Sequence, residues 1–506
     1  MFSPSGLAHP GTDPSRPIAA FSNSFAGLPD RFFARQAPTK VASPRVIRFN
    51  QALASELGLD VEAIREWGAA EIFSGNLAPP GAEPIATAYA GHQFGQFVPR
   101  LGDGRAILMG EVVDIQGRRR DIQWKGAGPT PFSRSGDGRA ALGPVLREYL
   151  VSEAMHALGI PTTRALAAVT TGEIVYREQR LPGAVLTRVA ASHIRVGTFQ
   201  FFAAQGDADA LKQLADHVIA RHYPEARGAE RPYLALLEGV VERQAALIAK
   251  WMQVGFIHGV MNTDNMAVSG ETIDFGPCAF MDAYDPATVF SSIDHRGRYA
   301  YANQPRIAQW NLARLAETLL PLIDDDSNRA VELATETITR FSARFDEHWL
   351  SGMRAKIGLS SASEGDAELV QALLEAMRIH AADFTLTFRR LGAAAANPAK
   401  DGEVRGLFRD GRAYDDWAAR WRRRLDEESG DGATRAAAMA RINPAVIPRN
   451  FLVEAALNAA IAEQDFAPFD EMMDVLAKPW EDPPALSPYS EPPPESSEAY
   501  RTFCGT

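Results

Sequence analysis

The chain has 506 residues and the composition of a globular protein, 46% hydrophobic, 23% charged and 9% aromatic, which is enough apolar material for several folding units or one large two-lobed enzyme. Its formal net charge of −11 argues against nucleic acid as the main partner, because a phosphate backbone wants a basic face; a local basic pocket for a small phosphate ligand stays open. Only two cysteines are present, Cys278 and Cys504, which build neither a zinc site nor a disulfide framework and suit a reducing compartment.

From the N-terminus, residues 1–20 are rich in Gly, Pro and Ser and are expected to be disordered. They lack the basic stretch and apolar run of a secretory signal, and no later window reaches transmembrane length. A cytoplasmic protein without a membrane partner is expected. Residues 105–124 hold two short apolar runs split by Asp114-Ile115-Gln116-Gly117, which predicts antiparallel strands. Residues 142–158 predict a helix ended by Gly159-Ile160-Pro161. Strands are expected over 164–170 and 173–177, joined at Thr171-Gly172, and again over 185–189. After about residue 198 helices dominate, with candidates at 233–254, 306–323, 329–348, 366–391, 413–426 and 449–463. The tail after Pro483 is dense in Pro, Ser and Glu and reads as extended chain. A strand-rich first part followed by a helix-rich second part suggests an α+β protein of two lobes, with a ligand in the cleft between them.

The strongest chemical cluster is His258-Gly259-Val260-Met261-Asn262-Thr263-Asp264-Asn265, followed by Ile273-Asp274-Phe275-Gly276. A hard cation such as Mg²⁺ needs few oxygen ligands and keeps waters and substrate phosphates for the rest. Asn265 and Asp274 supply such oxygens if a β-hairpin brings them together, leaving Asp264 free as a base. Each residue alone is equally a turn former. Lys125 ends the apolar run Asp121-Ile122-Gln123-Trp124. An ammonium there wants an anion, and Glu148 in the next helix is a candidate partner, as in kinases; an edge-strand lysine in water is the alternative. Gly-Asp-Gly-Arg occurs twice, at 102–105 and 136–139. Glycine lets backbone N–H groups approach a phosphate and arginine adds a forked donor, although Asp-Gly is also a hairpin signal. Arg188 and Arg195 are oddly spaced, so a strand would put them on opposite faces; two solvated arginines fit that spacing better unless the chain bends. His193 reads as structural, and spacing assigns no chemistry to His92.

Taken together, these motifs resemble the selenoprotein O family of protein adenylyltransferases. The resemblance runs from about Phe21 to Thr506. It rests on Tyr-Ala-Gly-His-Gln-Phe-Gly-Gln-Phe at 89–97, Leu-Gly-Asp-Gly-Arg at 101–105, Gln-Trp-Lys-Gly-Ala-Gly at 123–128, Ser-Arg-Ser-Gly-Asp-Gly-Arg-Ala at 133–140, His-Gly-Val-Met-Asn-Thr-Asp-Asn at 258–265 and Asp-Phe-Gly-Pro at 274–277. An ordinary kinase carries His-Arg-Asp five residues before the metal-binding Asn, with the Asp as base. Here that Asp position is Val260, which accepts no proton, and Asp264 is the nearest replacement.

The resemblance implies a protein-kinase-like fold, with an N-lobe at 21–197, a helical C-lobe and extension at 198–482, and a tail at 483–506. It implies that ATP binds end for end relative to kinases, with the γ-phosphate buried and the α-phosphorus facing a Ser, Thr or Tyr hydroxyl of a protein. AMP is transferred and pyrophosphate leaves; UMP transfer from UTP is a side activity of the same chemistry. Carried over by position, Gly102, Gly104, Arg105, Lys125, Asp137, Gly138, Arg188 and Arg195 bind nucleotide. Asn265 and Asp274 hold Mg²⁺ or Mn²⁺, Asp264 is the base, and Glu148 pairs with Lys125. A C-terminal cysteine of some relatives is linked to redox control, and Cys278 is the one intrachain partner open to Cys504. A γ-phosphoryl-transferring kinase and an inactive nucleotide-binding scaffold are the alternatives.

Overall fold

Alternating side chains along eight strand segments build one sheet with two buried faces. The computed structural model describes residues 16–482, 487–494 and 501–502. Its strands are β1 (Phe33–Arg35), β2 (Arg45–Phe49), β3 (Ile85–Thr87), β4 (Gly91–Gln93), β5 (Gln96–Val98), β6 (Ala106–Val113), β7 (Arg119–Lys125), β8 (Ala140–Ala141), β9 (Arg164–Tyr176), β10 (Arg180–Ala190) and a later antiparallel pair, β11 (Phe256–Ile257) and β12 (Ala279–Phe280). The sheet runs β1-β3-β6-β7-β10-β9-β2, with β8 paired to β10, and β4–β5 is a separate hairpin. Every pairing is antiparallel.

Side chains two residues apart share a face. Ile107 and Met109, Ile122 and Trp124, and Val185 and Val189 all pack with Leu53, Ile64 and Phe73 from short helices at 51–73. Trp124 is fully buried there and its indole N–H donates to the Ile72 carbonyl at 2.9 Å. The opposite face carries Leu108 and Leu186, which pack with Val145 and Tyr149 of helix α1 (Leu142–Ala157). Parity therefore sends Gln123, Lys125 and Arg188 to the α1 face. Register agrees: Arg188 stands opposite Gln123, and Leu186 opposite Lys125.

The remainder is mainly helical: α2 (Val196–Ala203), α3 (Pro232–Val254), α4 (Gln304–Ile323), α5 (Ser327–Lys356), α6 (Asp366–His380), α7 (Phe384–Ala396), α8 (Gly411–Asp426) and α9 (Asn450–Glu463). Proline opens α3, and Gly255, at φ 72°, ends it in the left-handed conformation. That stop delivers the chain into residues 256–276. Helix α9 returns to α1: the Arg147 guanidinium reaches Asn450 Oδ1 at 3.1 Å and also pairs with Glu454. No helix among the described residues is long and apolar enough to cross a membrane.

Several expectations need correction. Residues 16–20 are packed rather than disordered: Ile18 is buried and its carbonyl accepts from the Asp60 amide at 2.9 Å. Residues 1–15 lie outside the described residues, as do Cys504 and any pairing of Cys278 with it. Within the tail, 487–490 is a short helical turn rather than extended chain. Strand β9 runs through Thr171-Gly172, and the chain reverses only between Tyr176 and Arg180. Gly172 takes φ +73° where it meets Ser43, so it is a kink within a strand rather than a turn. The single helix expected at 366–391 is two, because Ala381 turns left-handed (φ 50°) and Asp383 caps the next helix through the Leu386 amide.

One buried charge stands apart. Lys356, at the end of α5, is 2% exposed, with its ammonium 4.4 Å from the centre of the Phe388 ring and 5.6 Å from that of Phe384. Burial lowers its pKa to about 7. The unfolded chain keeps a lysine pKa of about 10.4, so between those values the unfolded state binds the extra proton. Stability therefore rises with pH across that window. Lys356→Met is expected to stabilise the protein at pH 7 by roughly 1–3 kcal/mol, with the advantage shrinking as pH approaches 10. Denaturant unfolding at pH 7 and pH 9.5 checks both the sign and the trend.

Candidate functional site

Strand parity brings the first cations together. Lys125 Nζ lies 2.6 Å from Glu148 Oε2 of α1 and 2.7 Å from Asp274 Oδ1. Arg188 Nη1 lies 2.7 Å from Asp274 Oδ1 and 3.2 Å from Glu148 Oε1, while its Nε donates to Gln123 Oε1 at 2.7 Å. The strand ends at Ala190 and the chain bends before α2, so Arg195 faces the same carboxylate: its Nη1 is 2.7 Å from Asp274 Oδ2. Both arginines are 2% exposed, so solvated arginines are excluded and the bend required by their spacing is present. Arg195 also donates to the Asp264 carbonyl at 2.7 Å and lies over the Tyr89 ring at 4.7 Å.

Asp274 is the hub of this cluster. Burial pushes its carboxyl pKa up, but Lys125, Arg188 and Arg195 outweigh that and hold it well below the usual carboxylate value. Its backbone is left-handed (φ 62°), a conformation costing roughly 1–3 kcal/mol in a non-glycine residue and kept only where surroundings impose it. The hairpin expected between Asn265 and Asp274 is absent. Instead Ala267 bridges to Arg195 and Thr272 bridges to Thr162, so two outside segments hold the two ends. His258 ties them further. Its Nδ1 accepts from the Val260 amide at 3.3 Å and its Nε2 donates to the Ile273 carbonyl at 2.9 Å, which fixes a neutral tautomer.

Asp264 sits apart from this pairing. It is 7% exposed, and its Oδ1 is buried without a hydrogen-bond partner. Burial raises its pKa to about 6, with Arg195 opposing. The β4–β5 hairpin forms its other wall. Gln93 Nε2 donates to Asp264 Oδ2 at 3.3 Å, the His92 amide donates to Thr263 Oγ1 at 2.6 Å, and the Phe94 amide donates to Asn262 Oδ1 at 3.0 Å. A Cβ at Gly91 would stand 2.6 Å from Asp264 Oδ1. Glycine is required there by close approach to the carboxylate.

These groups line a cavity of about 310 Å³ containing Arg105, Lys125, Arg188 and Arg195 against Asp103, Asp264 and Asp274. Gly104 and Asn265 are also on its wall. Gly102, Asp137 and Gly138 are not. Gly102 is the contact point for the Phe132 ring, 2.3 Å from where its Cβ would be. Asp137 pairs with Arg177 at 2.9 Å, and Gly138 lies against the Gly128 backbone, within the loop that follows Lys125. Residue spacing missed Tyr89, Gln93 and Asp103. Asp103 is 1% exposed; its Oδ2 accepts from the Thr87 amide and hydroxyl at 3.0 and 2.6 Å, and its Oδ1 has no partner. Its place between two glycines in a motif already singled out was the available signal.

Cations gathered in one cavity with a second, cation-poor buried carboxylate suit a phosphate-handling enzyme. Comparison with known sequences makes the class specific. The family described as protein adenylyltransferase SelO matches residues 18–477, and the chain belongs to that family. It is a transferase of the nucleotidyltransferase type, with ATP as a substrate. Among its relatives, the protein nucleotidyltransferase YdiU of Rhizobium etli (strain CIAT 652) is 65% identical over 494 residues, covering 97% of this chain and 99% of the relative. That of Rhizobium leguminosarum bv. trifolii (strain WSM2304) is 66% identical over 486 residues, 96% and 97% of the two chains. That of Methylorubrum populi (strain ATCC BAA-705 / NCIMB 13946 / BJ001) is 63% identical over 492 residues, 96% and 99% of the two chains.

Gly91→Ala tests the hairpin wall. The added methyl displaces Asp264 without touching the Lys125–Asp274 cluster, and a misplacement near 1 Å costs about 10²-fold in rate. AMP transfer is expected to fall by about that factor while the thermal midpoint moves little; a wild-type rate would contradict the seating described.

Proposed function

We propose that this enzyme transfers AMP from ATP to Ser, Thr or Tyr hydroxyls of proteins, with ATP held triphosphate-inward, and UMP from UTP as a side activity. The observation that carries the reading is the convergence of Lys125, Arg188 and Arg195 on Asp274 in the wall of the cavity. An adenine placed there would bury three cations beside an apolar ring and away from phosphate. A γ-phosphate there gives them oxygens to bind and replaces Asp274 as the partner of both arginines. Arg105 and Gly104 line the same cavity and are assigned to the nucleotide's phosphates; Gly102, Asp137 and Gly138, which lie beside its wall, are assigned to the nucleotide as well.

The reading includes a protein-kinase-like fold. It is supported by the antiparallel order β3-β6-β7-β10-β9, the lysine of β7 paired with a glutamate of α1, and Asp274-Phe275-Gly276 across the cleft. Residues 21–197 are taken as the N-lobe, 198–482 as the C-lobe with its helical extension, and 483–506 as a tail. A cytoplasmic setting without a nucleic-acid partner belongs to the same proposal.

The donors fit a divalent cation. Asn265 spends its amide N–H on the Val260 carbonyl at 3.0 Å and keeps its amide oxygen free to ligate. Asp274 gains free oxygens once phosphate draws its arginines away, and the unpartnered Asp264 Oδ1 marks a polar spot lacking a donor. The cavity's four cations exceed its three aspartates by one, less than a triphosphate needs for neutrality. Asn265 and Asp274 are assigned to hold Mg²⁺ or Mn²⁺, a small oxygen set of the kind Mg²⁺ uses with substrate phosphates. When bound, that ion neutralises charge on the phosphate oxygens.

The chain's own groups account for the transfer. Asp264 accepts the proton of the acceptor hydroxyl, whose oxygen bonds to the α-phosphorus. The bond from the α-phosphorus to the bridging oxygen breaks, and its electron pair leaves with pyrophosphate, whose charge Lys125, Arg188 and Arg195 receive. Val260 cannot serve as the base of a γ-phosphoryl kinase.

ATP labelled separately at the α- and γ-phosphates tests this. Label is expected on protein from the α position only, and Asp264→Asn is expected to lower its rate by roughly 10²–10⁴-fold. Label carried from the γ position would contradict the proposal, and equal labelling by Asp264→Asn would remove Asp264 as base.

A further inference from the structure

The bend that follows β10 lets Arg195 share a cavity with Arg188, and it is held by side chains that the transfer itself does not use. Pairing of β10 with β7 ends at Ala190, opposite Asp121. Each of the next three residues is fixed by a side chain from elsewhere. The Ala191 amide donates to Glu271 Oε2 at 2.8 Å, and its carbonyl accepts from Arg221 Nε at 2.8 Å. Ser192 Oγ lies 2.8 Å from His222 Nε2. The His193 amide donates to Asp121 Oδ2 at 2.9 Å, and its Nδ1 donates to the same oxygen at 3.0 Å. Backbone pairing resumes at Ile194, whose carbonyl accepts from the Val268 amide at 3.0 Å, and the Val196 amide donates to the Met266 carbonyl at 2.9 Å.

Arg221 is the centre of this support. It lies in the helix Ala208–His222 and, besides the Ala191 carbonyl, it holds Asp121 Oδ1 and, at 3.0 Å, Glu111 Oε2. The side chains of Arg221, Asp121, Glu111 and His193 are all buried. A buried ionic network gains little net stability over apolar packing of the same volume. What it supplies is geometry: a forked guanidinium sets several acceptors at fixed separations, which a lysine cannot do.

His193 points the same way. With Nδ1 donating to Asp121, Nε2 carries a lone pair, and that nitrogen is buried with no hydrogen-bond partner among the described residues. A position that only filled space would avoid this cost with an apolar side chain. None of Asp121, His193 and Arg221 is among the described residues that line the cavity.

We infer that Asp121, His193 and Arg221 are positioning residues for AMP transfer: they lock the bend at 191–193 so that the Arg195 guanidinium meets the triphosphate. The inference rests on the triphosphate-inward reading, which makes Arg195 a phosphate ligand. It gives His193 a task beyond packing.

Calorimetric binding of inorganic tripolyphosphate to the full chain, measured beside the thermal midpoint, tests it. Asparagine places an amide N–H where His Nδ1 stands and keeps the bond to Asp121; leucine fills similar space without it. His193→Leu is expected to weaken tripolyphosphate binding by about tenfold or more, the worth of one charge-assisted hydrogen bond, with a thermal midpoint no lower than that of His193→Asn. His193→Asn is expected to bind within about twofold of wild type. Arg195→Met removes the group being positioned, so adding His193→Leu to it is expected to change affinity by less than about twofold. Should His193→Leu fail to fold, Arg221→Lys, which keeps the charge and loses the fork, is read in the same cycle. If His193→Leu and Arg221→Lys both bind tripolyphosphate like the wild type while Arg195→Met binds it weakly, the positioning role is overturned and the phosphate reading stands. If His193→Asn and His193→Leu weaken it equally, the ring only fills space and the role is likewise overturned. If the wild type fails to bind tripolyphosphate, or Arg195→Met binds it as tightly, the phosphate reading falls and the inference with it.

Discussion

Three cations meeting one aspartate, with a glutamate behind, is the arrangement on which the rest of the molecule depends. Lys125, Arg188 and Arg195 are each buried or nearly so, and each lies 2.7 Å from a carboxylate oxygen of Asp274. Buried charges of this kind are tolerated only when paired, and removing one partner leaves the others exposed to the full desolvation cost, typically 3–5 kcal/mol. The cluster therefore ties β7, β10, α1, the bend before α2 and the Asp274 loop into one unit. It also concentrates three cations on one wall of the cavity.

The same unit explains why Asp264 differs so sharply from Asp274. Ten residues apart in sequence, one carboxyl is held far below its ordinary pKa by three cations and the other is raised to about 6 by burial. Environments that push two carboxyls apart assign them different tasks. Asp274 is suited to charge pairing and cation binding, Asp264 to proton acceptance. The β4–β5 hairpin maintains the difference. Gln93 supplies one hydrogen bond to Asp264, and the missing side chain at Gly91 leaves room for its carboxylate.

Much of this was legible in the residues. Lys125 at the end of an apolar run called for an anion, and Glu148 was identified as its candidate partner from the kinase-like pattern. The adjoining Asp264 and Asn265, with Val260 five residues before Asn265, pointed to Asp264 as the candidate base. Other features depend on contacts that spacing does not carry. Arg188 and Arg195 converge only because the chain bends after Ala190. Thr171-Gly172 looks like a turn because the local signal is the same for a kink within a strand; the partner at Ser43 decides between them. The break at Ala381 was hidden because alanine favours helix and carries no stop signal. Gln93 and Tyr89 were missed because their role lies in what they touch, Asp264 and Arg195, distant in sequence. Gly102 and Asp137, read as nucleotide contacts, also meet Phe132 and Arg177, which spacing could not show.

The direction in which ATP enters is the central claim, and a crystal structure with a non-hydrolysable ATP analogue and Mn²⁺ tests it most directly. The account predicts the terminal phosphate among Lys125, Arg188 and Arg195, with the α-phosphorus beside Asp264. Adenine seated between the two arginines, with the terminal phosphate directed at Asp264, would contradict it.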